Sequence, residues 1–371
     1  NPTAATRLET THIRDLASVT GSCLSLYLAP WRAGTSAPSP RQVVMDSVRG
    51  VVESLRDHGV RGPDIEDLLR PVLELANQPE FSQGHSQGWA IFRSASTMHF
   101  LRGPGAWSNR ATVAGRFDVL PLLAALSTPR SYWLLALTHH GVRLFHGEDE
   151  ALNEQALPAG VPAEPERDRQ TGAHAANRSP SGKGNVHFGV NEKGSRTAKH
   201  FRDFCAAIAR GLEPLARETP VLLAGTREAI AEFRDVAPAL VTDTIVLSPD
   251  GGFTPNELLE RARALLAARP LPEENRVGQR LRDDGERELH AVVEAAARGR
   301  VGHLFVEAGV ALRGNVDRLT RHIPLTGEFE SVDDDLYNAA AVETLRHGGQ
   351  VWCVPPERMP APTGVVAELR Y

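Results

Sequence analysis

The residues best suited to chemistry in this chain are cations interleaved with glycines. From Arg167 to Arg202 the sequence carries Arg167, Arg169, Arg178, Lys183, Lys193, Arg196, Lys199 and Arg202 against few acids. Cations spaced along a polar segment suit a polyanion, each meeting one phosphate, and glycines let a backbone come close to it. Arg178, Gly182, Lys183, Gly184, Lys193, Arg196, Lys199 and Arg202 are therefore the candidate RNA-binding residues. Gly182-Lys183-Gly184-Asn185 looks like a phosphate-cradling turn, but it lacks the spacing and the trailing Ser/Thr of a P-loop. Taken alone, it reads as readily as a solvated loop.

Other motifs have structural readings. Gly84-His85-Ser86-Gln87-Gly88 fits the G-x-S-x-G pattern, yet a nucleophile elbow needs a strand before its serine and a helix after it. Here a helix and a loop precede Ser86, and a strand follows. Gly348-Gly349-Gln350 sits between a helix and a buried strand, where Gly348 serves as a left-handed helix terminator. Asp333-Asp334-Asp335 suits the positive end of a helix dipole. His174, His187 and His200 have no metal-site spacing, so no metal, cofactor or catalytic residue is expected.

Bulk properties narrow the partners. The 371 residues carry a net charge of -5, so contact with nucleic acid must come from local patches. Cys23, Cys205 and Cys353 lie far apart in apolar surroundings and read as buried free thiols in a reducing cytoplasm. No apolar run approaches the ~18 residues of a membrane span. The Arg/Ala/Pro/Leu-rich composition suits a GC-rich bacterial genome.

The elements that must hold the cationic segment follow from periodicity. Tyr132–Leu137 and Val142–Phe145 flank His139-His140-Gly141 and form a hairpin. Phe201, Phe204, Cys205, Ile208, Leu212 and Leu215 mark one face of a helix from Thr197 to Leu215. Between hairpin and helix the chain is polar, a loop from 148 to 196 that compact domains keep for function or leave disordered. A strand at Pro220–Ala224, a helix at Arg227–Arg234 and a strand at Val241–Leu247 complete the middle block. Before it, helices at Thr10–Val19, Gln42–His58 and Asp64–Ala76 alternate with strands at Cys23–Leu28, Gly88–Arg93, Met98–Arg102 and Arg116–Leu120. After it come a helix capped by Thr254, a charged connector, a helix at Gly285–Arg298, a strand at Val301–Val306, a helix at Asp333–His347, and strands at Val351–Val354 and Gly364–Arg370. The fold class is α/β in three domains, 1–128, 129–252 and 253–371, each a mixed sheet with helices packed on it.

From Pro129 onward, this order resembles the middle and C-terminal domains of the archaeal and eukaryotic class-I translation termination factors and of Pelota. The marks are the hairpin, the long loop, the basic helix near Thr197, Val221-Leu222-Leu223-Ala224-Gly225 and His303-Leu304-Phe305-Val306. In the tail, Asp334-Asp335-Leu336, Ala340-Ala341-Val342-Glu343-Thr344-Leu345, Gly348-Gly349, Met359 and Glu368-Leu369-Arg370-Tyr371 look like the bacterial release-factor-like families. The resemblance implies an RNase H-like middle domain and a C-terminal domain like ribosomal protein L7Ae. It also implies a ribosome partner, through rRNA or tRNA, and a role in ribosome rescue or hibernation. The family's hydrolysis loop carries Gly-Gly-Gln, whereas this loop offers Ser181-Gly182-Lys183-Gly184-Asn185. No Asn-Ile-Lys-Ser stop-codon reader appears in the first block either. A non-hydrolytic role is thus favoured. The alternatives are a tRNA ester hydrolase using Asn185 and His187, and a protein-interaction scaffold.

Overall fold

The computed structural model describes residues 4–31, 34–57, 59–82, 85, 87–103, 107–129, 131–148, 151–165, 190–217, 219–248, 252–314 and 334–370. The protein is mixed α/β with several sheets, and the chain divides into two compact units, 1–129 with 267–371, and 130–266.

The chain opens with β1 (Thr6–Arg7), α1 (Thr10–Ala17), β2 (Cys23–Leu28), α2 (Pro40–Asp57) and α3 (Gly62–Ala76). It continues through β3 (Gly88–Arg93), β4 (Met98–Gly103), β5 (Arg110–Ala114) and α4 (Leu120–Leu126). The strands form one sheet in the order β1-β4-β3-β2-β5. Side chains alternate across a strand, so Leu24, Leu26 and Leu28 face α2 and α3 while Cys23 and Tyr27 face the other way. Gly59, just past α2, takes φ +75°, the left-handed conformation that ends a helix. The expected strand at 116–120 is replaced: the strand ends at Ala114, and Leu120 opens α4, whose Leu120, Leu122 and Leu123 are buried.

The second unit holds β6 (Ser131–Thr138), β7 (Gly141–Glu148), β8 (Ala151–Gln155), α5 (Val190–Ala216), β9 (Val221–Gly225), α6 (Arg227–Val236), β10 (Asp243–Val246) and most of α7 (Pro255–Ala268). Its sheet runs β10-β9-β6-β7-β8, with β10, β9 and β6 parallel and β7 and β8 antiparallel. Leu135, Leu137, Leu144 and Leu223 pack under α5 and α6. Tyr132, Leu134, Phe145 and Leu222 pack under Leu258, Ala262 and Leu266 of α7 on the opposite face. Thr254 caps α7 in a reciprocal box, its Oγ1 accepting from Glu257 N at 3.3 Å and its N donating to Glu257 Oε2 at 3.0 Å. Residues 253–266 thus share the middle segment's core, whereas the sequence places them in the domain beginning at 253.

The chain ends with α8 (Pro272–Asp284), α9 (Leu289–Ala297), β11 (Val301–Glu307), β12 (Arg313–Gly314), β13 (Asp334–Asp335), α10 (Leu336–Arg346), β14 (Gln350–Val354) and β15 (Val365–Leu369). The connector expected between two helices is itself α8. Val277 and Leu281, one turn apart, bury against Phe305 and Trp352 and hold an otherwise polar sequence helical. The other face of the β14-β11-β15 sheet joins the N-terminal sheet in one core, with Leu304, Val306, Val351 and Cys353 beside Cys23, Tyr27 and Phe92.

Polar groups register this shared core. Arg116 donates to Asp334 Oδ2 at 2.5 Å and to Glu343 Oε1 at 3.3 Å, and Gly115 N donates to Asp334 Oδ1 at 3.0 Å. Asn338 accepts from Val119 N and donates to Phe117 O, both at 2.9 Å. The acids ahead of α10 therefore divide their roles. Asp334 ties the two ends of the chain together, Asp335 caps α10 by accepting from Tyr337 N, and Asp333 lies outside the described residues.

The chain passes between its two units at 129–130 and 266–267. Arg358 gathers both passages on the first unit's side. It donates to Ser127 O at 3.0 Å, to Ala267 O at 2.9 Å and to Glu274 Oε1 at 2.9 Å, with a second contact to Glu274 Oε2. The Arg358 and Glu274 side chains are only 3% and 1% exposed, so this is a buried, saturated ion pair.

Candidate nucleic-acid interface

Three parallel strands of the second unit end together, β6 at Thr138, β9 at Gly225 and β10 at Val246. In open α/β sheets the carboxyl edge of parallel strands is where ligands bind. In this unit the edge is closed by the two-residue turn His139-His140, because Thr138 pairs directly with Gly141. Both histidines are exposed.

Helix α5 reaches this edge. Its buried residues, Phe201, Phe204, Cys205, Ile208 and Leu212, recur at helical spacing and end at Phe201. Ala198, three residues earlier on the same stripe, is exposed. Residues 190–200 of α5, about 16 Å of helix, precede Phe201. Phe201 meets the turn, with the His139 and Phe201 rings 4.5 Å apart between centroids at 43°.

The other end of the polar segment arrives at the same place. After β8 the chain folds across α5, where Val161 and Pro158 occupy the space a side chain at Gly211 would need. It then runs to the β6–β7 turn, and Ala163 O accepts from Val142 N at 2.9 Å. A Cβ at Gly141 would lie 2.8 Å from that same carbonyl oxygen, so the approach requires glycine. The strand-side approach at Ala163 and helix α5 at Phe201 thus both contact the β6–β7 turn, on either side of the cation-rich segment. Gly141 was legible only as part of the His139-His140-Gly141 turn, and the close approaches at Gly141 and Gly211 come from chain segments no local pattern shows.

Of the candidate RNA-binding residues, Arg178, Gly182, Lys183 and Gly184 lie outside the described residues. Lys193 and Arg196 fall within α5, ahead of Phe201. Lys199 is exposed there, with no ion pair among the described residues. Arg202 is exposed but shared with Glu232 of α6, 3.6 Å away. Arg143, near the same edge, is committed elsewhere. It binds Glu154 through two hydrogen bonds, at 2.8 and 2.6 Å, and stacks over Phe145 and Phe253.

Nucleophile and metal chemistry find little support among the described residues. Burial pushes the thiols of Cys23, Cys205 and Cys353 up to about 12, so each is protonated and unreactive at neutral pH. No group of three or more His, Cys, Asp or Glu there is placed to hold a metal ion. Ser86 lies outside the described residues, and the β3 strand follows it without an intervening helix. Gly348 takes φ +72° and Gly349 N donates to Thr344 O at 2.8 Å, so this Gly-Gly-Gln ends α10 and begins β14. A cleft of about 520 Å³ lined by Arg14, Ser18, Leu345, Arg346 and Gly348 lies in the first unit. Its arginines stand in the last turns of α1 and α10, where cations balance helix carbonyls. No helix among the described residues is long and apolar enough to cross a membrane.

Residues 131–300 match the family described as bacterial archaeo-eukaryotic release factor family 3. The release-factor-like character read from the motifs holds over that span, which covers the whole second unit and reaches the end of α9. No curated protein matches the chain. Among solved structures, an archaeal translation termination factor, aRF1, is 13% identical and covers 97% of this chain and 96% of its own, at a TM-score of 0.25. Pelota of Archaeoglobus fulgidus is 14% identical, covering 77% and 80%, at 0.39. Dom34 of S. cerevisiae, a translation termination-like factor involved in RNA quality control pathways and interacting with Hbs1, is 9% identical, covering 77% and 74%, at 0.28.

Proposed function

We propose that this release-factor-like chain is a ribosome-associated translation factor that grips ribosomal or transfer RNA through the carboxyl edge of its middle sheet. It acts on stalled or idle ribosomes, in rescue or hibernation, without Gly-Gly-Gln-type hydrolysis of peptidyl-tRNA. One observation carries the reading: Ala163, ahead of the cation-rich segment, and Phe201, on the helix that ends it, both contact the turn at the carboxyl edge of the parallel strands. Lys199, exposed on α5, makes no ion pair with another described residue. The family match over 131–300 supports a role in translation. In the N- and C-terminal regions, the three-domain division and the L7Ae-like likeness belong to the same proposal.

Affinity that comes from phosphate contacts falls steeply with salt. The tagged protein should sediment with ribosomal particles in a sucrose gradient at low salt and leave them at moderate salt. Lys199→Ala should lower the slope of log affinity against log salt by about 1. Absence from ribosomal fractions at both salts, in growing and in starved cells, would overturn the proposal.

A further inference from the structure

His139 occupies an unusual position for a hairpin tip. Its ring packs on Phe201 at a tilt of 43°, and the Phe201 ring is itself buried and backed by Phe204 at a centroid distance of 6.1 Å. The histidine itself is exposed. A two-residue turn locked in register by the Thr138–Gly141 pair leaves its backbone little freedom. The result is an exposed aromatic ring held at the hairpin tip against α5, the helix that also presents Lys199.

We propose that His139, braced by Phe201, is a stacking platform for an unpaired nucleobase of single-stranded RNA. The proposal rests on the RNA-binding reading above and specifies its ligand: a strand with bases splayed out, in place of a duplex held by its backbone alone. Single-stranded recognition combines backbone cations with aromatic rings, and every base has a face to offer. Because the imidazole is already fixed against Phe201, the base gains its contact without first ordering the ring. The plainer alternative is that His139 only shields Phe201 from water. Leucine would shield it equally well and could not stack.

The test uses the full chain and an unstructured ribo-oligonucleotide carrying 2-aminopurine, titrated over a range of salt. His139→Leu should weaken binding between about five-fold and a hundred-fold. It should do so by the same factor at every salt concentration, because a lost stack releases no counterions. His139→Trp should restore the affinity and the fluorescence quenching. Wild-type binding by His139→Leu, still displaced by heparin, would overturn the platform and leave RNA binding intact. A changed salt slope in that variant would also overturn it, by making His139 a phosphate contact. If the wild-type chain binds no oligonucleotide at low salt, the RNA-binding reading fails with it.

Discussion

Replacing Arg358 by methionine keeps its length and removes its charge, and the structure dictates a large effect. Glu274, 1% exposed, would keep only Leu271 N at 3.2 Å as a hydrogen-bond donor. Leaving one member of a buried pair alone costs about 3–5 kcal/mol, and the freed carbonyls of Ser127 and Ala267 add up to about 1 kcal/mol each. Against a total stability of roughly 5–15 kcal/mol, this approaches unfolding of the first unit. Urea titrations followed by circular dichroism give the loss. Amide exchange should rise at 127–129 and 267–271, where Arg358 binds the passages. The double variant Arg358→Met with Glu274→Leu removes both charges and should recover to within about 1.5 kcal/mol of wild type. A loss below about 1 kcal/mol in the single variant, or a double variant no better than the single, would refute the assignment of Arg358 as the clamp.

Two further outcomes are expected. Burial raises Asp118 to about 6 despite the nearby Arg110, so between pH 4 and 6 the folded chain binds a proton that the unfolded chain does not. Stability from this group therefore falls as pH rises through that window, by roughly 3 kcal/mol in all. Asp118→Asn should flatten the dependence of the urea midpoint over pH 4–6, and an unchanged profile would contradict the assignment. Gly211→Val should drive residues 158–164 off α5, at a cost of about 1–3 kcal/mol. Limited proteolysis should then cut that stretch faster, and an unchanged cleavage pattern would count against the close approach.

Elements with a buried stripe or alternation were legible in the sequence. Helix α2, β2, β3, β9, β11 and β14 appear within a few residues of the expected bounds, because each buries one face or both. Helix α5 begins at Val190 where the sequence reading starts it at Thr197, because residues 190–196, Val-Asn-Glu-Lys-Gly-Ser-Arg, carry no apolar periodicity in the sequence. Strand β8 went unseen because it is a polar edge strand held by backbone pairing to β7. The site was half legible. Composition pointed to the cationic segment, and Lys199 and Arg202 are exposed on α5. That His139 packs on Phe201 is a contact across 62 residues that no local pattern encodes.

The first unit joins two stretches of chain separated by the whole second unit, and its biosynthesis follows from that. The earlier stretch leaves the translating machinery with Tyr27, Phe92 and Leu101 on a face whose covering strands are made about 200 residues later. At ordinary elongation speeds that oily surface stays bare for on the order of 10–50 s. The contiguous middle unit can close in the interval. Newborn chains are therefore most prone to mispairing through the segment 1–129, and the arrival of Asp334 and Asn338 ends the exposure.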